Sequence, residues 1–221
     1  MSSSKKRYIF NIMITLLVIV FSYFYLDKPI AYYFINHTKT YDSLGAFLSI
    51  FGESTWEFTI APLGFIFFRY YKKNELYAQR FLFLLYINIF SGFLSVILKN
   101  IFGRMRPWGL KDGGHEYGFL LFQNFDMGIL EKFKYQIHVL IDGATPHISF
   151  PSGHSTTIFT VAVYLWLLFP KQWFLWFFTA FILASGRILA NDHYFSDIVA
   201  GALLGTLSTL YLYSKLKDKI I

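Results

Sequence analysis

Six long apolar runs restrict the architecture of this chain more than any other feature. They cover about Tyr8–Leu26, Thr55–Tyr71, Phe81–Leu98, Ser155–Phe169, Trp173–Ala190 and Ile198–Tyr213. A helix needs roughly 20 mostly apolar residues to cross the hydrocarbon core of a bilayer, with somewhat shorter spans tolerated. Each run reaches that length or approaches it. The expected fold is all-α: a polytopic membrane protein with six transmembrane helices, forming one membrane-embedded domain over residues 1–221. Composition agrees, because only 15% of residues are charged and 55% are hydrophobic, whereas soluble domains carry about 25% charged residues. Such a surface is expected to face lipid.

The first run follows a basic flank, Lys5-Lys6-Arg7, as a secretory leader would. It is too long for a leader core, and Asp27-Lys28-Pro29 follows it instead of a small-residue cleavage site, so a retained helix is expected. Short loops rich in Lys and Arg stay on the cytoplasmic side of a membrane. Cytoplasmic termini would gather Lys5, Lys6 and Arg7, Arg69, Lys72, Lys73 and Arg80, Lys171, and Lys215, Lys217 and Lys219 inside, 11 of the 20 basic residues. They leave two long segments outside, Asp27–Ser54 and about 99–154. The first is expected to contain a short interfacial helix. The second is broken by many Gly and Pro residues, and a long irregular loop of this kind is usually functional. No internal repeat or low-complexity tract is visible.

The net charge is +7 and the pI near 9.4, but the basic residues sit between apolar runs instead of covering a soluble face, so nucleic acid is not an expected partner. With no Cys, disulfides, thiolate nucleophiles and Cys metal sites are excluded. Chemistry falls to His, Ser and the carboxylates.

In the six-helix topology the outer helix ends carry an unusual set of polar residues. Lys99 closes the third span, and Arg106-Pro107 follows after six residues. Pro151-Ser152-Gly153-His154 opens the fourth span. Arg187 ends the fifth, His193 follows after five residues, and Asp197 after three more. Ionisable groups at a membrane boundary are costly unless they serve a site. Lys99, Arg106 and Arg187 supply positive charge, and the arginine fork matches phosphate oxygens. Ser152 and Gly153 at a helix start expose free N–H groups to an anion. No carboxylate pair or His-Glu motif suggests a divalent-metal cage, so no metal or other cofactor is expected. His193 and Asp197 are four apart and share a helix face. An aspartate on one ring nitrogen leaves the other free to attack phosphorus, with His154 as general acid.

Lys99-x6-Arg106-Pro107, Pro151-Ser152-Gly153-His154 and Ser185-Gly186-Arg187-x5-His193-x3-Asp197 resemble the three motifs of the type 2 phosphatidic acid phosphatase superfamily, the integral-membrane lipid phosphate phosphatases related to vanadium haloperoxidases. The resemblance implies a metal-independent phosphohistidine mechanism. It implies His193 as nucleophile, Asp197 as its partner and His154 as acid, with Lys99, Arg106, Ser152, Gly153 and Arg187 holding the phosphate. One departure from the pattern is Gly186, directly before Arg187 where the family often has Ser; Ser185 lies one position back. The substrate implied is a membrane lipid bearing a phosphate or pyrophosphate: phosphatidate or phosphatidylglycerophosphate, undecaprenyl pyrophosphate, or a lipid A phosphate. Resemblance to the compact bacterial members implies a cytoplasmic (inner) membrane location, with the site facing the periplasm or exterior. A lipid phosphotransferase using the same histidine stays open as an alternative, as does a non-catalytic lipid-binding or transport protein.

Other polar residues have plainer readings. Arg104 is expected to touch lipid headgroups. His37, His115, His138 and His147 are expected to be solvated, with His147 the strongest exception. Ser54-Thr55-Trp56-Glu57 has capping-box spacing, so Glu57 is expected to support the second span. The abundant aromatics fit an interfacial belt, and some within Trp108–Phe133 are candidates to grip a lipid chain.

Overall fold

A computed structural model describes residues 3–110, 117–119, 128, 130–131, 134 and 148–220. The principal helices are α1 (Ser3–Tyr25), α2 (Asp27–Asn36), α3 (Thr38–Ile50), α4 (Thr55–Ile66), α5 (Glu75–Phe102), α6 (Gly153–Leu168), α7 (Trp173–Leu189) and α8 (Phe195–Ile220). A π-helical turn, Phe67–Tyr71, extends α4, and 3-10 turns occupy Pro107–Leu110 and Pro170–Gln172.

All six apolar runs are therefore helical. Four helical stretches, Lys6–Tyr25, Glu75–Phe102, Pro170–Leu189 and Phe195–Asp218, are long and apolar enough to cross a membrane. The other two runs are shorter, with 16 residues in α6 and 12 in α4 before its π turn. The segment expected to hold one interfacial helix contains two, α2 and α3, meeting at His37.

The ends of these helices follow local chemistry. Asn74 caps α5 by accepting a hydrogen bond from the Tyr77 amide at 3.2 Å. Gly103 ends α5 in the left-handed region (φ 58°) and donates its amide to the Lys99 carbonyl at 2.8 Å, a conformation that suits a residue without Cβ. Ser152 is extended and accepts from the Ser155 amide at 3.3 Å, starting α6 as the sequence suggested.

The capping box at Ser54 does not form. Ser54 is already helical (φ −63°, ψ −10°) and makes no side-chain cap bond, whereas such a box needs an extended cap residue. Glu57 is instead buried, and its Oε2 has no hydrogen-bond partner.

The bundle centres on α8, which packs on α6, α5, α1 and α7, while α3 lies on α7 and α4 on α5. Phe83, Leu84, Ile87, Tyr164 and Ile220 form one apolar core; Ile158, Ala162, Ala180, Ala184 and Ile198 form a second. Small residues set the closest approaches, as is usual between helices in lipid. A Cβ at Gly186 would lie 2.6 Å from Leu48 Cβ and 3.1 Å from the Gly45 carbonyl oxygen. The glycine that departs from the motif is thus where α7 meets α3. Outside the bundle, Phe10, Phe24, Phe93 and Phe174 are more than 60% exposed, a surface suited to hydrocarbon.

Candidate active site

The C-terminal ends of α5 and α7 meet the N-terminal ends of α6 and α8, and backbone bonds hold the junction. After Gly103 the chain runs extended, pairing Met105 with Ile148 and Arg104 with Phe119. The Ser149 amide donates to the Arg104 carbonyl at 2.6 Å, and the Ser152 amide donates to the Asp197 carbonyl at 3.0 Å. The strand-like turn after α5, the start of α6 and the start of α8 are thereby fixed to one another. After α7, Asn191 takes a left-handed conformation (φ 55°), and the Asp192 and His193 amides both donate to the Arg187 carbonyl. That tight turn brings His193 back beneath Arg187.

Arg106 and Arg187 converge on one carboxylate. Arg106 Nη1 donates to Asp192 Oδ1 at 2.9 Å, and Arg187 Nη2 lies 2.8 Å from Asp192 Oδ2. The Nε atoms of both arginines are buried without a hydrogen-bond partner. Buried donors in this state are costly unless something accepts from them, and an anion's oxygens would. Lys99 Nζ donates only a long bond, 3.4 Å, to the Ile148 carbonyl.

His193 is 2% exposed, and its Nδ1 lies 3.5 Å from Asp197 Oδ2. That is the outer limit of a hydrogen bond, and Nδ1 has no partner that meets hydrogen-bond geometry. Burial, then the positive charges of Lys99, Arg106 and Arg187 and the neighbouring His154, hold His193 well below the usual histidine range. The imidazole is therefore neutral near pH 7, the form in which a ring nitrogen is a nucleophile. The same interactions show that the two histidines and three cations from three separate motifs share one electrostatic neighbourhood.

A cavity of about 860 Å³ opens beside them. His154, Gly153, Lys99, Arg106 and Glu53 line it together with Ile89, Phe93 and Phe58. Ser152 lies just behind, fully buried; its Oγ accepts from the Ser155 hydroxyl at 3.1 Å. Ser185 is turned away and donates to the Ile182 carbonyl at 2.7 Å.

Arg104 corrects the sequence reading. It is not a headgroup contact: its side chain is fully buried. Arg104 Nη1 donates to Asp197 Oδ1 at 2.6 Å, and Nη2 donates to Asp27 Oδ2 at 2.8 Å. Burial alone would lower its pKa, but the two carboxylates outweigh that and raise it. Removing one partner of such a buried pair costs roughly 3–5 kcal/mol. His37 is exposed as expected, with Nδ1 2.7 Å from the Tyr33 carbonyl oxygen. His115, His138 and His147 lie outside the described residues.

Sequence reasoning missed Asp27 and Asp192. The only signals were position: Asp192 directly precedes His193, and Asp27 directly follows the first apolar run. Among the described residues, no group of three or more His, Asp or Glu is arranged to hold a metal ion.

A bundle whose helix ends bring two histidines, an aspartate and three cations together has the site expected of a membrane phosphatase. A profile of the PAP2 superfamily matches residues 80–221, and the chain belongs to that family. Among its relatives is a lipid A 1-phosphatase of Rhizobium etli, 29% identical over 92% of this chain and 84% of the relative. A lipid A 1-phosphatase of Rhizobium johnstonii is 29% identical over 88% of this chain and 75% of its own length. A shorter match, 40% identical over 29% of this chain and 32% of the relative, is to the bacitracin transport permease protein BcrC of Bacillus licheniformis. No solved structure matches the chain.

Proposed function

We propose that this chain is a membrane phosphatase that removes a phosphate or pyrophosphate group from a lipid through a phosphohistidine at His193. The observation that carries the reading is the neutral, buried His193 set among Lys99, Arg106, Arg187 and His154, with Asp197 on its Nδ1 side. Membership of the PAP2 superfamily supports it independently.

Lys99, the forks of Arg106 and Arg187, and the N–H group at Gly153 bind the phosphate oxygens, while the Ser152 amide, expected from the sequence to join them, is spent on the Asp197 carbonyl and fixes the start of α6. Asp197 orients the imidazole so that Nε2 presents its lone pair. Nε2 attacks phosphorus, the bond to the lipid oxygen breaks, and His154 gives that oxygen its proton. A bound phosphate dianion offsets the field of three cations, which lets an imidazole beside it carry this proton. Water then attacks the phosphohistidine, His154 takes a proton from it, and inorganic phosphate leaves. The cations stabilise the charge that develops on the transferring group, so no metal is required.

The cavity offers the lipid a place. Phe93 and Ile89 of α5 and Phe58 of α4 supply apolar lining for a lipid chain. In this reading the whole chain, 1–221, is one domain with six spans. α6 and the α4–π-turn segment cross as short helices inside the bundle. The termini are cytoplasmic, and the site opens to the periplasm or exterior. Arg80 Nε donates to the Ile220 carbonyl at 3.2 Å, which joins the basic start of α5 to the basic C-terminus at the end opposite the site. That supports a single cytoplasmic face. Lipid A bearing a 1-phosphate is the first substrate to test, because the two longest matches carry that activity in their names.

The test is release of inorganic phosphate by the purified protein in detergent. Lipid A, phosphatidate, phosphatidylglycerophosphate and a polyprenyl pyrophosphate would be offered separately. Metal-free release from at least one of them, lost in His193→Ala, is expected. Folded protein that releases phosphate from none would overturn the reading.

A further inference from the structure

Arg104 is not one of the fixed residues of the three motifs, lying in the variable stretch between Lys99 and Arg106, yet its side chain is fully enclosed beside the site. Its guanidinium carbon sits 3.9 Å from the centroid of the Tyr194 ring and 5.1–5.2 Å from those of Tyr23, Tyr117 and Phe119. Around this aromatic box the polar groups interlock. Ser196 Oγ accepts from Arg104 Nη1 at 2.7 Å and donates to Asp27 Oδ2. The Ser196 amide donates to Asp27 Oδ1 at 2.9 Å. Tyr117 OH accepts from Arg104 Nη2 at 2.9 Å and donates to the Tyr23 carbonyl.

The consequence falls on Asp197. Its Oδ1 is held by Arg104, and its Oδ2 accepts from the Tyr194 amide at 2.9 Å while facing His193 Nδ1. With both oxygens tied from different directions, the carboxylate cannot rotate, and only Oδ2 is offered to the imidazole. Asp197 is fully buried, and a buried carboxylate needs a cation beside it to offset its desolvation. Arg104 is that cation by direct contact. Arg104 in turn is held by Asp27, which lies on α2, outside residues 80–221 that match the family.

We propose that Arg104, locked in place by Asp27, is a positioning residue for the Asp197–His193 pair, so that the N-terminal α1–α2 segment completes the catalytic centre. This rests on the phosphatase reading for its kinetic consequence, but not for its structural one. An orienting shell of this kind fixes a tautomer and ring direction without touching substrate. Losing it misplaces the imidazole in every turnover while leaving the phosphate cations intact.

The test uses Asp27→Asn, which keeps the shape of the side chain, and Ser196→Ala as a milder variant should the first fold poorly. Both are purified full-length in detergent, beside wild type and Arg104→Lys, whose single ammonium lacks the fork needed to span two carboxylates. For Asp27→Asn, kcat is expected to fall about 10- to 100-fold with KM within about twofold, and for Ser196→Ala about threefold in the same sense. Arg104→Lys is expected to lower kcat at least as far as Asp27→Asn, since the conservative cation cannot hold both carboxylates. A second readout needs no substrate: 15N NMR of histidine-labelled protein, with His193 assigned by the signal lost in His193→Gln. The wild-type ring is expected to carry its proton on Nδ1, and the variants to shift toward a mixture with Nε2 protonated. Wild-type kcat in folded Asp27→Asn, or an unchanged His193 spectrum, would overturn the proposal. If wild type itself released no phosphate from any lipid, the phosphatase reading would fail, and the spectrum alone would decide the positioning role.

Discussion

Two groups of charge lie side by side where α5, α6, α7 and α8 meet, and they are built to opposite rules. In the first, Arg106 and Arg187 share the Asp192 carboxylate beside Lys99, at the edge of an open cavity that Glu53 also lines, with both arginine Nε atoms unused. In the second, one cation, Arg104, is matched by two carboxylates, Asp27 and Asp197, and walled in by aromatic rings. The first group has positive charge in excess and donors to spare, as a site awaiting an anion requires. The second has all four carboxylate oxygens occupied and is closed to solvent, as a device for holding one geometry requires, although Arg104 Nε is also without a partner. His193 sits between them and takes its field from the first and its orientation from the second.

Substitutions that separate the two groups should break or sharpen this contrast. The largest effect belongs to the residue both serve: His193→Ala is expected to lower kcat by at least about 1,000-fold while the protein still folds and inserts. His154→Ala comes next, at about 100- to 10,000-fold for loss of a general acid, measured on a lipid phosphate with a poor leaving group. Asp192→Asn acts on the open group alone. Freed of their internal anion, Arg106 and Arg187 are expected to bind inorganic phosphate about fivefold more tightly. Their forks lose alignment, so kcat is expected to fall about 10-fold. If phosphate bound more weakly and kcat rose, Asp192 would not be the anion that competes with substrate.

Smaller effects concern conditions. Because burial and the flanking cations hold His193 well below the usual histidine range, activity that depends on the neutral ring is lost only on acidification below that range. The pH profile of kcat/KM, which reports the free enzyme, is therefore expected to show no fall near pH 6.5 assignable to His193, tested by comparing wild type with Arg106→Gln. Removing that cation is expected to move the limb upward. A limb already at 6.5 in wild type and unmoved in Arg106→Gln would contradict the buried, cation-flanked placement. Treatment with EDTA is expected to leave activity unchanged, since the cations supply the charge a metal would; strict dependence on added magnesium would contradict that. Ser185→Ala is expected to change kcat less than twofold, because the hydroxyl is spent on its own helix.

The helices were legible because apolar runs of span length leave the backbone few alternatives in lipid. That Lys99, Arg106, His154, Arg187 and His193 would come together was expected from residue types at helix ends, because phosphate chemistry calls for them there, and the fold does bring them together. The closed group was not legible. Asp27 meets Arg104 across 77 positions of the chain, and a lone aspartate after a span carries no mark of its partner. Arg104 and Arg106 are two residues apart and identical in type, yet one is sealed and the other faces the cavity; only the tertiary fold separates them. Asp192 pairs with Arg106 across 86 positions, and nothing in its local sequence marks that pairing. The capping box failed because spacing specifies only which groups are present, while the backbone at Ser54 had already turned helical.

The most direct measurement is rapid acid-free quenching of the enzyme with a substrate lipid carrying 32P at its terminal phosphate. A transient, acid-labile and alkali-stable phosphoenzyme is expected in wild type, with the label at His193 by peptide mapping and none in His193→Ala. A phosphoenzyme that persists in His193→Ala, or label recovered on another residue, would contradict the account.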